Sequence, residues 1–558
     1  MKLNLTLRER YGVLGIAIIA CFGLFYGWQI FWFLTDDAYI SFRYVGNSLL
    51  GYGYVWNMPP FLPVEGYTSF LWVVLLDLIW RLTGVAPPES ANLLSLSFSL
   101  LTLLLTALLL LRVTAEQLRP WRLLLLVLGL LIVLSNRTFL AWTSSGLETA
   151  LFNFLVLLWV TVALWPATSK STIRWAFALC FVAALSALTR PDGMLLAASS
   201  VVLVVLHMLT NGWAGGQRWN FVVGLIPLLI IPIHLLWRFA TYGAWLPNTY
   251  FAKSATNIDR MESGPRYLLT FVMEYSLWIW FALAGLFLGI TLIRRPWLRI
   301  NVNGLTSIIV ITTLIVHMSY YTFLIGGDHF EFRVYSQIIP LIAVSFIWML
   351  GRISIPPALA SAMLILFLVC SWPIQWIHWA ASQQYTTREE TGFLKVSVVD
   401  AVTDRYPGLP AWLMAYLQRY DDNQFWLIDH AIGMRHQEHK VLQRFLTANI
   451  PPRDTPPFAT GEGHMVTVAS SVGVLAWSLP WANVIDALGL NDYVIARNPD
   501  LNTSGFLAHE RQPPPGYLAC FAPELGDGTS RYAFIAAERI QICEQTYRAN
   551  IGRVGMVK

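Results

Sequence analysis

Two adjacent acids, Asp36 and Asp37, stand in the stretch TDDAYISFRY, where a greasy segment from Tyr11 to Leu34 ends, and Arg43 follows. A carboxylate so placed can take a proton from a hydroxyl, and a second carboxylate beside it raises one of the two pKa values. A guanidinium nearby suits a phosphate. Similar mixtures recur along the chain. PVEGYTS holds Glu65 and Tyr67, SSGLET holds Glu148, and TRPDG holds Arg190 and Asp192. LPNTYFAK holds Asn248 and Lys253, and GGDHFEFR holds Asp328, His329, Glu331 and Arg333. Each cluster borders a long apolar run.

Those runs are the elements that must position the clusters. Of 558 residues, 56% are hydrophobic and only 12% are charged, about half the charge of a soluble domain. Blocks such as LLSLSFSLLTLLLTALLLL reach the roughly 20 apolar residues that a spanning helix needs. We expect an α-helical polytopic membrane protein with eleven spans, near 11–34, 91–111, 122–140, 147–165, 174–189, 194–210, 220–240, 267–292, 304–325, 336–351 and 355–378. The first is expected to be a retained anchor, because no small-residue cleavage site ends it. The stretch 67–82 is short and carries Asp77, so it is expected to lie on the membrane surface. With it excluded, one side of the membrane collects thirteen Lys and Arg residues, among them Lys2, Lys170, Arg295 and Arg299, against Glu9 and Glu116. That is the positive-inside pattern, and it places every mixed cluster on the outer face.

Residues 1–380 form the expected membrane module and 381–558 an extracytoplasmic α/β domain. In the tail, HMVTVASSVGVLAW and YLACFA read as strands, while GFLKVSVVDAVTDRY and HKVLQRFLTA read as helices. Cys520 and Cys543 are the two tail cysteines, and outside the cytoplasm they are candidates for a disulfide. His436 and His439 in RHQEH, like Glu462 and His464 in GEGHM, read as an exposed helix face or loop. No phosphate-binding loop or dinucleotide fingerprint occurs, and a net charge of +5 does not point to nucleic acid.

An outward-facing enzyme without nucleotide must draw an activated substrate from the membrane, and a polyprenyl-phosphate-linked sugar is one. Asp36 or Asp37 then serves as the base. Arg43, Arg190, Lys253 and Arg333 are candidates for the phosphate. Glu65, Tyr67, Glu148, Asn248, Asp328 and His329 are candidates for the substrate. Membrane lipid is the third partner. No metal site is assigned and no cofactor is required, although Asp36, Asp37 and Asp328 leave a divalent cation open through oxygen ligands. A carrier or flippase of a lipid-linked sugar is the alternative, against which stand the absence of an internal repeat and the charges gathered at one face. A non-catalytic envelope scaffold is the third reading.

The motifs DDAYISFRY, GYGYVWN, PVEGYTSFLW, SGLETALF, LTRPDG, GAWLPNTYFAK and GGDHFEFRVYSQIIP, with VIDALGLNDYVIAR and HERQPPPGY in the tail, resemble the GT-C class of polyprenyl-phosphate-sugar glycosyltransferases. The likeness is strongest to the mycobacterial and corynebacterial terminal β-(1→2)-arabinofuranosyltransferase family. It implies a decaprenyl-phosphoryl-arabinose donor, inversion at the anomeric carbon and Asp36 as the base with Asp37 beside it. It also implies a short helix after the first span, another along the membrane surface, and a plasma-membrane location. The acceptor, a polysaccharide, lipid-linked glycan or glycoprotein, stays open.

Overall fold

The computed structural model describes residues 5–165, 172–211, 217–254, 256–294, 301–457 and 459–554. Lys2, Lys170, Arg295 and Arg299 lie outside the described residues.

All eleven expected segments are helical, and among the described residues eight helices are long and apolar enough to cross a membrane. They are Leu7–Ile30, Pro87–Val113, Glu116–Leu134, Thr172–Thr189, Pro191–Thr210, Val302–Ile325, Arg333–Ile353 and Pro357–Ser382. Thr149–Ala163 and Ile226–Tyr242 are shorter apolar helices. The expected span 267–292 is not one straight rod. Helices Arg260–Glu274 and Trp278–Arg294 meet at 91°. The first arm is polar and packs on the tail helix Ala411–Asp429, and Ser276, at φ +50, makes the turn. Glu274 at the bend is buried against Arg137 (3.2 Å) and Arg435 (3.0 Å), so its charge is met by protein rather than by lipid.

The doubtful stretch forms the helix Phe70–Thr83, 14 residues long and ended by Gly84 at φ +75. Its Asp77 pairs with Arg81 at 2.9 Å and accepts the Tyr54 hydroxyl at 2.8 Å. A second short helix, Asp36–Leu49, follows the first span.

The tail contains a three-stranded sheet ordered β2-β1-β3, with β1 (His464–Ala469) parallel to β2 (Asn483–Asp486) and antiparallel to β3 (Tyr532–Ile535). Its helix His436–Asn449 follows the expected pattern. YLACFA is not a strand. It forms the helix Tyr517–Phe521, which buries Tyr517 and Phe521, one helical turn apart. The half after HMVTVA likewise becomes the helix Gly473–Ser478. Cys520 and Cys543 form a disulfide that ties Tyr517–Phe521 to the last helix.

Tail and membrane halves share a core. Val472, Val474, Ala476, Trp477 and Val484 pack in one apolar cluster with Phe33, Phe42, Val45 and Trp72. In return Phe61, from the loop after the first span, stacks on Phe521 inside the tail's own core.

Candidate active site at the helix ends

Thr35 caps the helix Asp36–Leu49, its hydroxyl accepting the Ala38 amide at 3.1 Å. A two-bond bridge holds this start in place: the Thr35 amide donates to Ser145 and the Ser145 amide to Phe33, both at 3.0 Å. Gly146 follows at φ +77, and a Cβ there would stand 2.7 Å from Ala38, which explains the glycine in SSGLET.

The two acids have different fates. Asp36 accepts the amides of Gly473 (3.2 Å) and Val474 (2.8 Å), so it rivets the tail to the start of the helix Asp36–Leu49. Burial, opposed by these two amides and reinforced by Asp37 and Asp486, pushes its pKa up to about 6. Asp37 is partly exposed and makes no hydrogen bond or ion pair among the described residues. Its charge acts on Asp36, Asp486, His439 and His509, which face it. Asp486 ends β2 and is buried, with its carboxylate accepting the amides of Leu488 and Asn491. Burial raises it also, to about 6.

Arg43 does not reach a phosphate. It is fully buried and donates to the carbonyls of Trp56, Ala476, Leu479 and Ala482 at 2.7–3.2 Å. Four of its five N–H groups are thereby used. Its work is to satisfy carbonyls of the tail segment that packs on the helix Asp36–Leu49. Arg190 binds Glu148 (3.0 Å), Asp192 (3.1 Å) and the Tyr321 hydroxyl (2.8 Å). Arg333 pairs with Asp328 at 2.9 Å and lies over the Phe330 ring. Lys253 is exposed, makes no ion pair among the described residues, and is near enough for its charge to act on His329 and His509. Of the four expected cations it is the one with neither an ion pair nor a side-chain hydrogen bond among the described residues, since Arg43 is used by carbonyls and Arg190 and Arg333 by acids.

Glu65, Tyr67 and Asn248 sit in a seam where three sequence motifs meet. Glu65 pairs with Arg238 at 2.6 Å, and its carbonyl accepts the Asn248 amide. The Asn248 side chain donates to the carbonyls of Gly489, Leu490 and Asp492. A Cβ on Gly66 would stand 1.8 Å from Asn491 Oδ1. Tyr67 is buried with its hydroxyl 3.2 Å from that of Tyr242. VEGYT and LPNTY thus hold the tail loop LGLND.

His329 comes together with two histidines from other segments, His439 and His509. Its ring centroid lies 4.7 Å from that of His509 and 5.5 Å from that of His439. His436 and His439, expected on an exposed face, are buried, because helix His436–Asn449 packs inward between the tail and the helix ends. His329 Nδ1 lies 2.8 Å from the Ala431 carbonyl, and His509 Nδ1 lies 2.8 Å from that of Leu507. A carbonyl only accepts, so Nδ1 carries the proton and Nε2 keeps its lone pair. The buried His439 Nε2 has no partner among the described residues. Burial lowers all three pKa values, His439 to about 4 against the pull of Asp37, so the imidazoles are neutral at pH 7. The sequence signal for His509 was its place in HERQPPPGY. For Asp486 it was its place in VIDALGLND.

The arrangement offers an unpaired carboxylate, a free ammonium and three neutral imidazole acceptors. Among the described residues no group of three or more His, Cys, Asp or Glu is arranged to hold a metal ion. Of the three carboxylates that leave a divalent cation open, Asp36 accepts two tail amides, Asp328 pairs with Arg333, and Asp37 has no partner among the described residues.

No family model matches the chain. The terminal β-(1→2)-arabinofuranosyltransferase of Mycobacterium tuberculosis (strain ATCC 25618 / H37Rv) is 30% identical over 292 residues, 51% of this chain and 44% of that protein. The chain therefore matches less than half the length of this curated relative. The crystal structure of ArnT from Cupriavidus metallidurans bound to undecaprenyl phosphate superimposes with a TM-score of 0.53 at 13% identity, covering 85% of each chain. The archaeal oligosaccharyltransferase AglB from Archaeoglobus fulgidus gives 0.44 at 12% identity, covering 86% of this chain and 65% of that one. The chain thus has the fold of ArnT, the GT-C arrangement that its motifs led us to expect, and is similar in sequence to the arabinofuranosyltransferase.

Proposed function

We propose that this chain is a membrane glycosyltransferase that moves a sugar, with arabinofuranose the first candidate, from a polyprenyl-phosphate donor to a cell-envelope glycan on the outer face. The observation that carries the reading is Asp37, a carboxylate free of partners among the described residues, in the first turn of the helix that follows the first membrane helix and beside neutral imidazoles. The ArnT crystal contains undecaprenyl phosphate, which supports the donor class, and the name of the curated relative supports the pentose. The basic inner loops and the tail disulfide support an extracytoplasmic tail.

In the proposed reaction Asp37 takes the proton of an acceptor hydroxyl as its oxygen attacks the anomeric carbon from the face opposite the phosphate. The carbon–oxygen bond to the phosphate breaks, and its electron pair leaves with the polyprenyl phosphate. Lys253 is assigned the departing charge, with Arg190 and Arg333 behind it. Attack from the opposite face inverts the centre. The base is assigned to Asp37 rather than Asp36, because both Asp36 oxygens already accept tail amides.

Purified protein in lipid, given polyprenyl-phosphoryl-arabinose or a hexose analogue together with acceptor glycans, tests the reading. Polyprenyl phosphate is expected from the pentose donor. Release from the hexose donor alone refutes the pentose, and release from neither refutes the transferase.

A further inference from the structure

We propose that a second lipid site lies in the seam between the last membrane helix and the tail, and that it holds an anionic phospholipid of the surrounding bilayer. A groove of about 760 Å³ runs there, within the usual size of a ligand pocket. Leu131 forms one wall, Trp372, Trp376 and Ala380 a second, and Val402 of the tail a third. Arg405 and Tyr406 also line it. None of the residues placed in the active site borders it, so a lipid held here does not present its head to Asp37.

Three observations select the occupant. First, the walls are apolar and lie at the ends of two membrane helices: Glu116–Leu134 stops at Ser135, and Trp372 to Ala380 form the last turns of Pro357–Ser382. That depth suits an acyl chain. Second, Arg405 is exposed and has no acid or side-chain hydrogen-bond partner among the described residues. A cation over an apolar slot complements a lipid phosphate. Third, Tyr406, next to Arg405, is 59% exposed, and Trp412, at the start of the helix Ala411–Asp429 that follows, is 73% exposed. Exposed Tyr and Trp beside Arg are what the headgroup layer collects. The segment is fixed in place, since Val398, Val402, Leu417 and Tyr420 pack on Ile374 of the last helix and Met273 of the bent pair. The lipid therefore fills the space that this packing leaves, and its phosphate bridges the membrane helix to the tail.

Delipidated wild-type protein offered equimolar dioleoyl phosphatidylglycerol and phosphatidylcholine, with bound lipid counted by native mass spectrometry, tests the site. Phosphatidylglycerol is expected to be retained about fivefold over phosphatidylcholine, the share of one surface arginine. Arg405→Gln is expected to bring the two to parity, Arg405→Lys to keep the preference, and Ala380→Trp to reduce retention of both. Equal retention by wild type, or a preference unchanged in Arg405→Gln, overturns the proposal. Displacement of phosphatidylglycerol by undecaprenyl phosphate at a site sensitive to Ala380→Trp also overturns it and makes the groove a carrier-lipid site. The readout is independent of sugar transfer.

Discussion

Exchanging each acid of the pair for its amide separates a catalytic carboxylate from a docking one. Asp37 makes no hydrogen bond among the described residues, so Asp37→Asn is expected to leave stability within about 0.5 kcal/mol. Turnover is expected to fall by about 10²–10⁴, the usual loss for a general base. Asp36→Asn is expected to keep turnover within about tenfold and to change the pH dependence of stability instead. Asp36 titrates near 6 when folded, against 3.8 when unfolded. Between those values the folded chain binds the extra proton, so stability falls as pH rises from about 4 to about 6. At 1.36 kcal/mol per pH unit the difference is about 3 kcal/mol at most, and the asparagine variant removes it. Turnover is read as polyprenyl phosphate released from the pentose donor, and stability as thermal midpoints at pH 4.5 and 7.5 in the same lipid. An inactive Asp36→Asn with an unchanged pH profile, beside an active Asp37→Asn, would refute the assignment.

Lys253→Gln removes a cation with no acid among the described residues, and is expected to slow release of the polyprenyl phosphate on the order of 100-fold at unchanged thermal midpoint. Arg43→Met takes the donor from the buried carbonyls of Ala476 and Ala482, while Trp56 keeps Asn47 and Leu479 keeps the Ala482 amide, and is expected to cost about 3 kcal/mol, read as lost yield and a lower midpoint, while the folded fraction keeps its donor affinity. Cys543→Ser opens a link across 23 residues and is expected to cost the tail about 3 kcal/mol, measured by denaturant unfolding with and without reductant.

Much of the scaffold was legible along the chain, because a membrane helix is specified by its own residues. Each must satisfy its backbone internally and present apolar side chains to lipid, so eleven hydropathy blocks became helical segments. The same locality placed Asp36 and Asp37 just past the first long helix, where they open the helix Asp36–Leu49, and Asp77 on the short helix Phe70–Thr83. Short apolar runs in the tail carried no such constraint. YLACFA suits a strand or a helix, and its partners in the tail core decided for the helix.

What the chain alone determined, then, is which acids and bases stand at the ends of its apolar helices. What the tertiary structure decided is which of them are free. Asp36 and Asp37 are neighbours of one type, and only Gly473 and Val474, more than 400 residues away, distinguish them. Arg43 looks like a phosphate ligand until the carbonyls of Ala476, Leu479 and Ala482 are seen to use it. His329, His439 and His509 meet from three separate segments. A charged side chain is free or committed according to partners brought close by folding, and a spacing rule of three or four residues does not reach them.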